Sequence, residues 1–458
     1  MAKKAKKIKT AKGLKLEIVN PNAAGIDVSS TEMQVCVPEN RDADNNRRWG
    51  TFTSDLRVIS AWLKACNIDT VAMESTGVYW VQLYMRLVAD GFDVLLGSAK
   101  DIKNIAEKKT DEVDAEWIML LHSYGLLKPS FQPCNEARKI RDLVRHRDNQ
   151  LRASSKEALH MQKYMVLMNI KLANVISDIL GKSGQDIIQA IIEGERDPAK
   201  LALLIDPRCK ASPEEIEKSL EANWDDHLIF LLKQSWQLYN YIQKQMAETE
   251  KQAEALINRY KASLPQESVP QTECKRSKKP QASKNKISMD IEQYAYELWG
   301  VNLMLIPGIN TGSLYKLVGE LGHDFIEKFA SYKEFCNWAN LAPNNKISGG
   351  KLLSSKVPKR KNPVGQILRV AANSLNNDKS SLGIYFRKVK SRKGNKAACI
   401  AAANKMGRII YTMIKTRKEY DPSLGQEKQV EVLKSKIKRA QKELEKLQKL
   451  INGCEIAA

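Results

Sequence analysis

Strand-like segments crowd into the first 130 residues of this sequence and then stop. Ala23–Val28 is a short apolar run and Glu32–Val37 alternates in polarity, with turn residues between them, so the pair predicts a hairpin. Trp49–Thr53 reads as a third strand, and Thr70–Met73 and Phe92–Leu96 as two more. Leu56–Cys66, Tyr79–Ala89 and Asp111–Leu121 carry helical spacing. Leading strands followed by strand–helix alternation predict an α/β sheet covered by helices over residues 19–130.

Residues 131–263 read instead as long helices rich in Leu, Ile, Met, Lys and Glu, interrupted near Gly181–Gly184 and Asp206–Pro213. A coiled-coil spacer, a dimer interface, a basic cradle and a plain helical bundle all fit that pattern. Residues 264–289 are rich in Pro, Ser, Gln and Lys, a composition that buries no core and predicts a flexible basic linker. Residues 290–420 predict a mostly helical second domain with a turn-rich centre, Ala342–Val364. In the tail, 421–458, Val430, Leu433, Ile437, Ala440, Leu444, Leu447 and Ile451 follow heptad spacing. They suit a coiled-coil seam or an amphipathic helix packed on its own chain. Residues 1–18 form a lysine-rich arm, either a solubilising tail or a phosphate-contacting one.

Charge narrows the partners. With 74 Lys+Arg against 53 Asp+Glu, the net charge is +21, and a polyanion is the expected ligand. A membrane surface is the rival polyanion, but no apolar stretch is long enough to span a bilayer and no signal-like segment follows the basic start. The eight cysteines form no CxxC pair and the five histidines no HxxxH pair, so zinc-ligand spacing is absent and reduced thiols are expected. A soluble cytoplasmic protein, associated with the nucleoid when bound to DNA, is the expectation.

Four acids fit phosphodiester chemistry. Asp27 lies at the end of one apolar run (AAGIDVSS) and Glu74 at the end of another (TVAMESTG), while Asp111 and Asp114 sit together in KKTDEVDA. Two-metal phosphoryl transfer needs carboxylates that converge from different elements on Mg²⁺ (or Mn²⁺). Parallel neighbouring strands would bring Asp27 and Glu74 to one sheet edge. Residues three apart on a helix lie about 60° apart around its axis, so Asp111 and Asp114 share a face. In the second domain, LIPGINTGS has the form of a helix–turn–helix hairpin with Pro307 and Gly308 at its turn. Gly308 there suits backbone approach to a phosphate or an ordinary turn between helices.

The strings GIDVSS, MESTGVYW and KTDEVDA resemble the N-terminal domain of the DEDD transposases of the 110/1111 group of bacterial insertion sequences. That domain is RuvC-like, of the ribonuclease H fold. The resemblance implies that Asp27, Glu74, Asp111 and Asp114 form a metal-binding tetrad, that Thr76, Gly77 and Tyr79 make the strand-to-helix turn after the glutamate, and that Lys109 contacts nucleic acid. The stretch NLAPNNKISGGKLLSSKVPKRKNPVGQILRVAANSL (residues 340–375) resembles the C-terminal domain of the same transposases, where a loop serine followed by glycine is the nucleophile. The match is Ser348, with Gly349 and Gly350 open to phosphate. Ser354 and Ser355, in the same stretch, are the competing serines. Lys351, Lys356, Lys359, Arg360, Lys361 and Arg369 would neutralise phosphate charge. KRKNPVGQILR departs from the more usual K-x-G-N-x-x-L-R of the family. Residues 381–415 resemble its helical end and imply that Tyr385, Arg387 and Lys388 lie near DNA. The resemblance covers about residues 22–125 and 300–415.

What the resemblance implies is DNA transposition through a covalent 5′-phosphoserine link, assisted by Mg²⁺. It implies donor and target DNA, a structured non-coding guide RNA from the element that delegates sequence choice to base pairing, and a homodimer or homotetramer in which acids and serine can come from different protomers. Two other classes fit the residues: a RuvC-like nuclease or junction resolvase that uses water as nucleophile, and a non-catalytic nucleic-acid scaffold.

Overall fold

The computed structural model describes residues 17–75, 77–97, 111–264, 270, 274–277, 287–358, 361–423 and, with breaks, 434–448; Asp111 and Glu112 are described by their backbone only. The chain divides into two compact units between Gln132 and Pro133.

The first unit is built on a five-stranded sheet in the order β3-β2-β1-β4-β5. β1 (Ala23–Val28), β2 (Met33–Cys36) and β3 (Asn46–Trp49) are antiparallel neighbours, while β4 (Thr70–Glu74) and β5 (Asp93–Gly97) run parallel to β1. The third strand ends at Trp49 rather than beginning there as the sequence predicts. The Asp55 carboxylate accepts the Phe52 N–H at 3.0 Å and packs on Gly50, and the chain turns into α1 (Thr53–Ala65). Ala24, Ile26, Val28, Val71 and Met73 point to one face, where α1 and α2 (Trp80–Ala89) cover them with Leu56, Ile59, Leu63, Leu83 and Leu87. Alternation then sends Gly25, Asp27, Gln34, Cys36, Ala72 and Glu74 to the opposite face. There α3 (Asp111–Ser123) packs through Ala115, Ile118, Met119 and Leu121.

The second unit opens with α4 (Asn135–Leu167), which runs antiparallel to α9 (Asp226–Ser263). Cys134 lies beside Tyr260, Arg147 pairs with Glu250 at 2.5 Å, and Gln243 donates to Ser154 at 2.7 Å. At the far end four short helices, α5 (Leu172–Val175), α6 (Lys182–Glu193), α7 (Pro198–Ala202) and α8 (Pro213–Leu220), form a knob. Its own core joins Met161, Met165 and Met168 to Ile187, Ile188, Ile191, Leu232 and Trp236. Near the start of α4 lie α10 (Ile291–Trp299), α11 (Thr311–Leu321), α12 (Tyr332–Trp338), α13 (Pro363–Asn373) and α14 (Ser381–Thr416) around an aromatic centre of Trp299, Phe325, Phe335 and Tyr411. Arg145 clamps Glu320 of α11 with two hydrogen bonds of 2.7 and 2.8 Å. The segment read from sequence as turn-rich holds a two-stranded sheet, β6 (Lys346–Ser348) and β7 (Lys351–Ser354). Gly394, at φ +80°, breaks α14 into two helical stretches.

Candidate active site

Register sets the first pair of acids. β1 pairs with β4 as Gly25↔Ala72 and Ile26↔Met73, so one step further along each strand Asp27 comes beside Glu74, on the α3 face. The direction of α3 follows from its end: the Ser123 carbonyl accepts the N–H groups of Val19 and Asn20, just ahead of β1, and His122 bonds Thr70 at the start of β4. The helix therefore runs antiparallel to both strands, and its N-terminal turn, with Asp111 and Asp114, lies toward the strand ends that carry Asp27 and Glu74. An acidic pair at a helix N-terminus is also favoured by the helix dipole.

Gly25 makes this approach possible. A Cβ at that position would come within 2.2 Å of the Met119 nitrogen and 2.3 Å of the Ala115 oxygen, so only glycine lets the helix lie this close to the strand. Glu74 is buried, and Asp27 and Asp114 are half-buried. Burial also pushes the Cys36 thiol, on the same face, up to about 12. After Glu74, Ser75 is tied to the Gly97 carbonyl through its N–H (3.2 Å) and Oγ (3.0 Å). Gly77 then takes a left-handed φ of +62°, and its carbonyl accepts the Trp80 indole N–H at 3.1 Å, which starts α2. Thr76 lies outside the described residues, as do Lys109, Lys359 and Arg360.

A residue not singled out from the sequence belongs to this edge. Gln34 is the antiparallel partner of Asp27. Its Nε2 donates to Asn46 Oδ1 at 2.7 Å, while its buried Oε1 has no hydrogen-bond partner. Pairing of β2 with β1 is what finds it; no local motif marks it. The donor set at the strand ends is thus all oxygen, which fits a hard divalent cation such as Mg²⁺ or Mn²⁺. Asp27, Glu74 and Asp114 do not gather their oxygens into one cluster within 4.8 Å; among the described residues only Cys134, His323 and Asp324 bring three metal-binding donor atoms that close.

Ser348 belongs to the second unit. It is the last residue of β6 and pairs with Lys351 across a two-residue turn, Gly349–Gly350, at φ +54° and +75°. Positive φ at both central positions is the tight hairpin turn whose twist matches the strands, so both glycines have a conformational reason to be there. The hairpin is exposed: Lys346, Ile347, Ser348, Lys351, Leu352 and Leu353 all face solvent, as do Lys356 and Lys361 nearby. Arg369, on α13, donates to the Asn340 carbonyl at 2.5 Å and so ties the chain just before the hairpin. Gly308, at φ +89°, packs on α13, where a Cβ would meet the Ala371 oxygen at 2.6 Å; it follows a short 3-10 turn, Leu303–Leu305, rather than a full helix.

At the bend of α14, Arg387 holds the carbonyls of Asn376 and Asp378 at 3.0 and 2.6 Å, and Tyr385 lies under Lys405 Nζ, 4.7 Å from the ring centre. Lys388 is exposed, and Lys390, Arg392, Lys393 and Lys396 extend the same basic elbow around Gly394. The last four were not picked out from sequence; the bend collects them.

The first unit is thus an α/β domain with acids at one sheet edge, and the second a helical domain with an exposed, lysine-bearing hairpin. A family model of DEDD-type IS110 transposases, described as "Transposase", matches residues 24–170, and one described as "Transposase IS116/IS110/IS902 family" matches residues 301–380. The chain belongs to the IS110 family of DEDD transposases. Among curated proteins, none matches it. DEDD transposases generally act with divalent metal ions, and their substrate is DNA. No described helix is long and apolar enough to cross a membrane.

Proposed function

We propose that this transposase moves an insertion sequence by cutting and exchanging DNA strands through a serine–phosphate link, under the direction of a bound structured RNA. The observation that carries the metal half of this reading is the adjacency of Asp27 and Glu74 in register, with the N-terminal turn of α3 at the same sheet edge. Three antiparallel strands followed by two parallel ones, with α3 laid over β1, suit a RuvC-like domain over residues 19–130. A helical spacer (131–263), a basic linker (264–289) and a serine-bearing domain (290–420) complete the organisation.

Asp27, Glu74, Asp111 and Asp114 would hold Mg²⁺ or Mn²⁺, with Gln34 Oε1 as a neutral donor nearby. When bound, the metal would polarise the phosphate and stabilise the attacking and leaving oxygens. Ser348 Oγ attacks the phosphorus; the Oγ–P bond forms as the P–O3′ bond breaks, and the seryl proton passes to the released 3′ oxygen. The product is a 5′-phosphoserine link and a free 3′ hydroxyl. Strand joining is the reverse attack by a 3′ hydroxyl, which returns the proton to Ser348 Oγ. Exposure of the hairpin gives the hydroxyl access to a duplex. Lys351, Lys356 and Lys361, with Lys359 and Arg360, neutralise the phosphate charge, and the elbow at Arg387 and Lys388 tracks the backbone. Arg369 acts through the Asn340 carbonyl it holds. Ile437, Ala440, Leu444 and Leu447 of the heptad seam are exposed on helical backbone, which suits self-association into a dimer or tetramer.

The deciding experiment incubates the full chain and its co-purified RNA with DNA carrying an element end, then seeks a denaturation-resistant protein–DNA adduct. The adduct should form with the wild type and vanish in Ser348→Ala. Cleavage that survives Ser348→Ala without an adduct would identify a water-using nuclease. Salt-sensitive binding without cleavage would identify a scaffold. Sequencing of the co-purified RNA tests the guide: random cellular RNA in place of one structured species would remove it.

A further inference from the structure

Cys134 is far in sequence from the adjacent pair His323 and Asp324, yet the donor atoms of all three lie within 4.8 Å of one another. Cys134 is the residue that precedes α4, and His323 and Asp324 open the 3-10 helix Asp324–Ile326. The Tyr260 hydroxyl, in the last turn of α9, lies 3.2 Å from Cys134 Sγ and is hydrogen-bonded to His323 Nδ1. Asp324 uses only one carboxylate oxygen on a cation: Oδ2 meets Lys328 Nζ at 2.7 Å, while Oδ1 is buried with no hydrogen-bond partner. An unpaired buried carboxylate oxygen is costly, and one oxygen of this carboxylate lies within 4.8 Å of the Cys134 thiol and a His323 ring nitrogen.

We propose that Cys134, His323 and Asp324 bind a transition-metal ion of the zinc class, which joins the start of α4 to the helical domain at the end of α9. The donors select the ion. Thiolate sulfur, imidazole nitrogen and one carboxylate oxygen suit Zn²⁺ or Co²⁺, whereas Mg²⁺ favours oxygen alone. The site is therefore chemically distinct from the all-oxygen edge at Asp27 and Glu74, and it does not depend on the function proposed for that edge. Three protein ligands leave the fourth tetrahedral position to solvent. Binding releases the Cys134 thiol proton. The Tyr260 hydroxyl, next to both sulfur and ring, is a positioning group for the two ligands. Because the ligands come from separate segments, the ion binds the folded unit and stabilises it by mass action.

The test uses the full chain stripped with a chelator and titrated with Co²⁺ alone. A thiolate-to-cobalt charge-transfer band should appear, saturate at one ion per chain, and be lost in Cys134→Ser. Oxygen ligands elsewhere give no such band. Tyr260→Phe should weaken Co²⁺ affinity by about tenfold, the effect of losing an outer-shell partner. In the unmodified protein, Zn²⁺ should shield Cys134 from alkylation, read by mass spectrometry; this needs no folded variant. No band in the wild type, an undiminished band in Cys134→Ser, or equal Cys134 alkylation with and without Zn²⁺ would each overturn the proposal.

Discussion

Gly25 of β1 lies under Met119 of α3 with no room for a side chain: a Cβ there would stand 2.2 Å from the Met119 nitrogen. The contact fixes how deeply the helix seats on the sheet, and the same helix carries Asp111 and Asp114 toward the ends of β1 and β4. Gly25→Ala should therefore cost about 1–3 kcal/mol, the usual effect of overpacking, because the clash is with backbone that cannot rotate away. Urea unfolding measures it. DNA cleavage, assayed where the variant is still folded, should fall further than binding does; an unchanged cleavage rate would separate helix seating from the acids.

Asp27→Asn and Glu74→Gln keep size and shape while removing charge. Each should lower DNA strand cleavage by about two orders of magnitude or more, since metal-assisted phosphoryl transfer supplies several kcal/mol of barrier reduction. DNA binding should persist, because the basic residues are untouched. Gel assays of cleavage and filter binding on the same preparations provide the check, and wild-type cleavage by both variants would exclude a role for this edge.

His122 is buried, with Nε2 2.8 Å from Thr70 Oγ1, and burial lowers its pKa below the ordinary histidine value. The neutral ring is the form that folding favours. Its contribution is thus fully present above the unfolded value of about 6.5 and is lost as pH falls through the lower folded value. Thermal unfolding from pH 7.5 to 5 should show this loss, and His122→Gln should flatten the profile across that window. Parallel profiles for the two proteins would mean that other groups dominate the acid response.

Arg147 and Glu250 face each other across α4 and α9, both almost wholly buried. Glu250 Oε2 also accepts the Ser288 N–H at 2.9 Å. Arg147→Met would strand a buried carboxylate and should destabilise the second unit by about 3–5 kcal/mol. Adding Glu250→Gln should recover part of that loss, because the remaining group is neutral. A double-mutant cycle in urea reads the coupling; additive losses would show that the pair is not a unit.

Much of the first unit is legible in sequence because one periodicity dominates each segment. β1 has the bounds its apolar run predicts, β4 runs one residue past its expected end, and β5 is shifted by one residue at both ends. β3 lies earlier than the sequence predicts because three of its four residues, Asn46, Arg47 and Arg48, are polar and give no alternation, while Phe52 and Thr53 do look strand-like. The β6–β7 hairpin escaped for a similar reason: the ladder is exposed on nearly every residue, so it leaves no pattern of inside and outside. Asp27 and Glu74 can be read as strand ends locally. Their adjacency cannot, because it needs the long-range parallel pairing of β1 with β4. Cys134 with His323 is harder still, since tests for metal-ligand spacing look for ligands that are neighbours in the chain.

The paired helices of 33 and 38 residues also act as a ruler with a heading. At about 1.5 Å and 100° per residue, removing one residue from each arm would shorten the reach only slightly but swing the knob by more than a quarter turn. Length in this part of the chain is therefore quantised: changes of whole heptads keep the knob pointing the same way, and intermediate changes aim it elsewhere.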